Sequence, residues 1–206
     1  MTKNEYLAFF DATYKERLEA HPVFADRYNG FRKIFEELLK NKEREFTIIE
    51  TGTLRKKNTW TDGQSSLLFF EFVSFFGGTL ISIDTDENAL ETCRAVLDKE
   101  VGLTKANFVP IHGNSILELE KIARSADLLY LDSFDLEGLD ALPSALHHLK
   151  ELASVAKIRA HSTGLIIAVD DNYKEQGIGK GKFIASWARD AGKEILHDGF
   201  QFVFRS

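Results

Sequence analysis

The chain has 206 residues, 44% of them hydrophobic, and a net charge of -6, enough to bury a sizeable core within one α/β domain. The charge is spread without a dominant Lys/Arg cluster, which argues against nucleic acid as a partner. The longest apolar stretch, Leu67 to Phe76, is interrupted by Glu71 and reaches only half of the ~20 residues that cross a bilayer, so no membrane span is expected. Met1 to Phe10 lacks a signal-peptide pattern, and the single Cys93 cannot pair within the chain, so the expected compartment is a reducing cytoplasm and the thiol a buried structural one.

Two amphipathic helices come first. Leu7, Phe10, Tyr14 and Leu18 share one face, and Tyr28, Phe31, Phe35, Leu38 and Leu39 form a second stripe. Residues 1–45 read as a helical cap and 46–206 as the core. Short apolar runs follow at Phe46 to Ile49, Thr79 to Ile83, Phe108 to Ile111, Leu128 to Leu131 and Leu165 to Val169. Each is too short for a helix and too uniform for a half-exposed strand, which predicts buried parallel strands. Helical spacing separates them at Leu67 to Phe76, Ala89 to Leu97, Ile116 to Ala123 and Leu142, Leu146, Leu149, Leu152, giving a doubly wound α/β sheet. After a helix through Phe183, Trp187 and Ala191, two β-like runs flank Asp198-Gly199, which predicts a terminal hairpin with a two-residue type I′ turn. The three prolines are expected at element boundaries.

Ligands of such sheets bind beyond the carboxyl ends of the strands, so the residues after each strand are the candidates. Glu50-Thr51-Gly52-Thr53 follows the first strand: Glu50 can accept from a cationic amine, and Gly52 either admits a ligand or only makes a tight turn. The long loop Leu54 to Gly63 leads to Ser65 and Ser66, one of which is expected to cap the next helix, whose first amides suit an anion. Asp84 ends the second strand, where a carboxylate can take both hydroxyls of a ribose, while Asp86 suits a helix cap. Asn114 and Ser115 follow the third strand and can read a base edge, Ser115 being equally suited to capping. Asp132 closes the fourth strand, and Asp170, Asp171 and Asn172 close the fifth. Carboxylates gathered there repel unless a cation neutralises them, and an oxygen-only donor set suits Mg²⁺. His147 and His148 offer a general base, though inward-pointing Leu146 and Leu149 would turn at least one outward. Lys174 to Lys182, with Gly177, Gly179 and Gly181, reads as a glycine-hinged flap.

Glu50-Thr-Gly-Thr53, Ile83-Asp84, Gly113-Asn-Ser115, Leu131-Asp-Ser133 and Val169-Asp-Asp-Asn172, taken in order, resemble class I S-adenosylmethionine-dependent methyltransferases across about residues 46 to 206. The carboxylates after strands four and five are nearest to the metal-dependent small-molecule O-methyltransferases, although the glycine-rich first motif of many members is replaced by Thr53-Leu54 and a basic Arg55-Lys56-Lys57. The resemblance implies a mostly parallel seven-stranded Rossmann-like sheet ending in an antiparallel hairpin. It implies S-adenosylmethionine held by Glu50, Gly52, Thr53, Ser65, Asp84, Asn114, Ser115 and Asp132, with Mg²⁺ admitted at Asp132, Asp170, Asp171 and Asn172. It implies methyl transfer to a hydroxyl of a small molecule, with Asp132, Asp171 and His147 as the catalytic candidates, and it leaves a homodimer open. An NAD-dependent oxidoreductase is the first rival, but Gly-x-Gly-x-x-Gly is absent after Glu50. A non-catalytic nucleoside-binding protein of the same fold is the second.

Overall fold

The computed structural model describes residues 1–41, 45–61, 64–102, 106–136, 140–158, 164–173 and 178–206. Helices α1 (Lys3–Glu19) and α2 (Arg27–Leu38) lead into β1 (Phe46–Thr51), α3 (Ser65–Phe76), β2 (Gly78–Asp84), α4 (Glu87–Glu100), β3 (Asn107–His112), α5 (Ser115–Ile122), β4 (Leu128–Leu131), α6 (Leu142–Ile158) and β5 (Ile166–Val169). A two-stranded ribbon, β6 (Asn172–Tyr173) and β7 (Ile178–Gly179), precedes α7 (Lys182–Asp190), β8 (Glu194–Asp198) and β9 (Phe202–Arg205). The sheet order is β3-β2-β1-β4-β5-β9-β8. Strands β1 to β5 pair in parallel, whereas β9 runs antiparallel to both β5 and β8. No helix among the described residues is long and apolar enough to cross a membrane.

The central strands are buried on both faces, which is why they read as unbroken apolar runs. Ile48, Leu128, Tyr130, Ile166, Ala168 and Val203 face the layer of α1 to α4, and Ile49, Leu129, Leu131, Ile167, Val169, Phe202 and Phe204 face α5 to α7. The first layer is aromatic. Phe72 is fully buried with its ring 5.0 Å from Phe46, 5.1 Å from Phe35 and 5.2 Å from Tyr6. Helix starts follow the local chemistry: Thr2 and Glu5 form a reciprocal capping box on α1, and the Asp86 carboxylate caps α4 by accepting from the amides of Asn88 and Ala89. Cys93 is buried as expected, and burial raises its thiol pKa to about 11.

Three local expectations give way to tertiary packing. Pro110 lies inside β3 rather than at a boundary, which the sheet tolerates because β3 is an edge strand. The hairpin joins Asp198 to Phe202 through three residues, and Gly199 has no positive φ. A Cβ there would meet the Asp26 Oδ2 at 1.8 Å, so a side chain would push that carboxylate aside. That carboxylate accepts from the Phe200 amide (2.8 Å), tying the turn to the start of α2. On α6 only the second half of the leucine stripe faces inward: Leu152 is buried and Leu149 packs against the core, but Leu142 and Leu146 are 53% and 42% exposed, while Ser144, His148 and Glu151 are buried. These polar groups face inward because they find partners, Ser144 Oγ and Ser133 Oγ donating to the Phe134 carbonyl and to Glu151 (2.7 Å each). Phe72→Ala should cost about 3–5 kcal/mol, read as a lower urea midpoint with an unchanged slope.

Candidate functional site

Strand order reverses at β1, between β2 on one side and β4 on the other, and a cleft opens beyond their carboxyl ends. Gly52 makes the approach possible. Its φ is +82°, and a Cβ would stand 2.6 Å from the Asp132 carbonyl oxygen, so a side chain would force the ends of β1 and β4 apart. The Gly52 amide donates to the Ile83 carbonyl (2.8 Å) and the Asp132 amide to the Thr51 carbonyl (3.0 Å), which fixes both strand ends.

The cleft has two compartments. One is lined by Arg27, Gly52, Thr53, Leu54, Arg55, Ser65, Asp132 and Asp171, the other by Ile83, Thr85, Asn114, Ser115, Phe134 and His147. Asp84 and Ser133 belong to both. The Asp84 carboxylate accepts from the Asp86 amide (2.9 Å), and burial holds its pKa above the usual range. Asn114, not Ser115, caps α5, accepting from the Ile116 amide (3.0 Å). Ser115 Oγ lies 3.2 Å from His147 Nε2, which is also 3.3 Å from Glu151. His147 therefore borders the compartment opposite Asp171, which does not suit it to a general-base role there. His148 is fully buried, its Nδ1 donates to the Ser144 carbonyl (2.7 Å), and burial drives its pKa down to about 4.

Glu50 departs from the expected role. It is buried and absent from the cleft lining, and it accepts hydrogen bonds from Ser65, Ser66 and Ser82. Burial outweighs these bonds and pushes its pKa up to about 7. Neither serine caps α3; Gln64 precedes the helix and instead holds the preceding loop, donating to the Lys56 carbonyl (2.9 Å) and accepting from the Asn58 amide (3.2 Å). Asp62 and Gly63 of that loop lie outside the described residues.

Asp132, Asp170 and Asp171 do converge, and they converge on two cations of the chain itself. Arg27 Nη2 is 3.1 Å from Asp170 and 2.9 Å from Asp171, while its Nη1 donates to the Thr61 carbonyl (3.1 Å). The guanidinium also lies over the rings of Phe24 (5.2 Å) and Phe200 (4.8 Å). Lys180 Nζ donates to Asp132 and lies 3.0 Å from Asp171. Burial opposes the charge of Lys180, but Asp132 and Asp171 outweigh it and hold the ammonium protonated. Burial raises the pKa of Asp132 more than Lys180 lowers it; at Asp171 burial loses to Lys180 and Arg27 and the pKa falls. Asp171 adopts a left-handed backbone with φ 52°, strain of the sort that gathers at functional sites.

The expected Mg²⁺ donor set does not fit the ion as it stands. Each carboxylate faces an Arg or Lys nitrogen, and the Asn172 side chain is structural: its Nδ2 donates to the Val169 carbonyl (2.8 Å) and its Oδ1 accepts from the Gly181 amide (2.8 Å). Among the described residues no group of three or more His, Cys, Asp or Glu side chains is gathered as a metal requires. Of the expected flap, residues 174–177 lie outside the described part; the rest is β7 and the start of α7, with Lys180 buried. Sequence reasoning missed both Arg27 and Lys180. Lys180 sat in view among the glycines, whereas nothing local marked Arg27.

No protein-family model and no curated protein sequence matches the chain. Solved structures do. A candidate methyltransferase from Streptococcus mutans in complex with SAH superposes with a TM-score of 0.54 at 10% identity, over 82% of this chain and 92% of that one. A candidate rRNA methylase from Clostridium thermocellum gives 0.52 at 12% identity, over 86% and 95%. The C-terminal domain of precorrin-6Y C5,15-methyltransferase from Rhodobacter capsulatus gives 0.50 at 10% identity, over 87% and 88%. The chain shares their fold.

The Glu50 site has a consequence for stability. The folded state holds the Glu50 proton more tightly than the unfolded chain does, so its contribution is complete below pH 4.5 and is lost as the pH rises through about 7. That shift corresponds to about 3 kcal/mol. Thermal midpoints measured across this range should fall more steeply for the natural protein than for Glu50→Gln; parallel curves would show that Glu50 titrates normally.

Proposed function

We propose that the protein transfers a methyl group from S-adenosylmethionine to a hydroxyl of a small molecule. The observation that carries this reading is Asp84 at the junction of two compartments, at the point where the strand order reverses. An elongated ligand with a diol at its middle fits that layout. Asp84 would accept from the ribose hydroxyls, Asn114 and Ser115 would meet the base, and the backbone of Gly52 and Thr53 with Ser65 would meet the methionyl end. When bound, S-adenosylmethionine supplies a methyl carbon made electrophilic by its sulfonium.

The residues of the first compartment would handle the acceptor. Three carboxylates, Asp132, Asp170 and Asp171, face two cations, Arg27 and Lys180, leaving one negative charge in excess when all are ionised. That excess complements a sulfonium. Asp132, whose pKa is raised while that of Asp171 is lowered, is the proton acceptor of the pair. An acceptor hydroxyl held against the methyl carbon would pass its proton to Asp132 as its oxygen takes the methyl group and the sulfonium's bonding pair returns to sulfur. Holding the two reactants in line is itself worth roughly 7–11 kcal/mol. Mg²⁺ has no part in this reading because Lys180 and Arg27 take its donors. A small acceptor is favoured over nucleic acid by the net charge of -6 and by the pairing of both buried cations.

Calorimetric titration with S-adenosylhomocysteine and, separately, with NAD tests this. One S-adenosylhomocysteine should bind per chain and NAD should not, and Asp84→Ala should weaken the binding by about 1.5–3 kcal/mol. Binding of NAD alone would favour an oxidoreductase, and binding without methyl transfer to any hydroxyl acceptor would leave a nucleoside-binding protein.

A further inference from the structure

We propose that Lys180 holds the place a divalent cation would take among Asp132 and Asp171, so that the cluster binds no metal and the chain's own ammonium positions these carboxylates. Carboxylates this close repel and need a positive charge between them. Lys180 Nζ provides it, touching Asp132, lying 3.0 Å from Asp171 and 3.9 Å from Asp135. The side chain is 1% exposed and absent from the cleft lining, so it acts through the two aspartates as a positioning residue.

The local fold is built to deliver that ammonium. The β6–β7 ribbon pairs Asn172 with Gly179, whose φ is +142° and whose missing side chain lets it approach the Asn172 Cα, where a Cβ would stand 2.7 Å away. The Lys180 amide donates to the Asp171 carbonyl (3.2 Å), and the Gly181 amide takes the Asn172 Oδ1. The ribbon thus turns Lys180 back onto the strand ends and uses up the fourth oxygen a metal would want. A Mg²⁺ ion demands oxygens in near-octahedral array. To seat one, the ammonium would have to leave, and it would then be buried without a partner. The chemical consequence, methyl transfer without a divalent ion, rests on the function proposed above; the prediction for metal binding does not.

Mn²⁺, which prefers the same oxygen donors and is followed by its electron paramagnetic resonance signal, is the probe. The natural protein should show no Mn²⁺ site that depends on Asp171. Lys180→Ala should gain one site per chain, at least about tenfold tighter than any in the natural protein, a change of about 1.4 kcal/mol, and Asp171→Asn added to it should abolish that site. A Mn²⁺ site in the natural protein that Asp171→Asn removes would overturn the proposal, as would a folded Lys180→Ala protein that gains none. If Lys180→Ala does not fold, Lys180→Gln takes its place, and the natural protein titrated beside Asp171→Asn decides without a Lys180 variant. Titrating the same natural protein with S-adenosylhomocysteine keeps the two ideas apart: absence of both Mn²⁺ and S-adenosylhomocysteine binding would end the methyl-transfer reading and leave Lys180 as the resident cation.

Discussion

The pairing of Arg27 and Lys180 with buried Asp170 and half-buried Asp132 and Asp171 is the constraint around which the cleft is organised. Charges taken out of water are costly, and they persist here because every one has an opposite neighbour within a few ångströms. Removing one partner would strand another, at about 3–5 kcal/mol. The cluster therefore does mechanical work as well as electrostatic work. It ties the first turn of α2 and the β6–β7 ribbon to the carboxyl ends of β4 and β5.

The same logic extends to the cleft's flanks. Phe200, at the tip of the terminal hairpin, lies against the Arg27 guanidinium, and the neighbouring Asp26 holds the Phe200 amide and His197 Nε2 (3.0 Å). The hairpin thus does more than close the sheet; it walls in the cation that faces Asp170. Under β1, Glu50 gathers hydroxyls from two residues of α3 and one of β2, joining the helix start to the strand ends. Satisfied internal networks fix the backbone at the cleft, while Asp84 remains at the lip where the two compartments meet.

Much of the architecture was legible in the sequence because it is written in short periods. The five parallel strands, the helices between them and the terminal hairpin follow from apolar spacing within a few residues. Asp132, Asp170 and Asp171 could be placed at one rim from strand ends alone, since a parallel sheet aligns them, and Asp84 at the same rim for the same reason. The α6 stripe held at Leu149 and Leu152 but not at Leu142 and Leu146, for an instructive reason. Ser144, His148 and Glu151 repeat with a helical period as well as the leucines do, and the choice between the two faces was settled by partners such as Ser133 and the Phe134 carbonyl, which come from another segment.

By itself, then, the sequence determined the α/β class, the order of strands and helices and the acidic character of the rim, because these depend on local periodicity and on strand polarity. Only the tertiary structure decided what answers that acidity. Arg27 and Asp170 are 143 residues apart and Lys180 and Asp132 are 48 apart, so no spacing rule links them. Three carboxylates require positive charge whatever its source; whether an ion or the chain provides it depends on where a distant helix and a two-stranded ribbon pack.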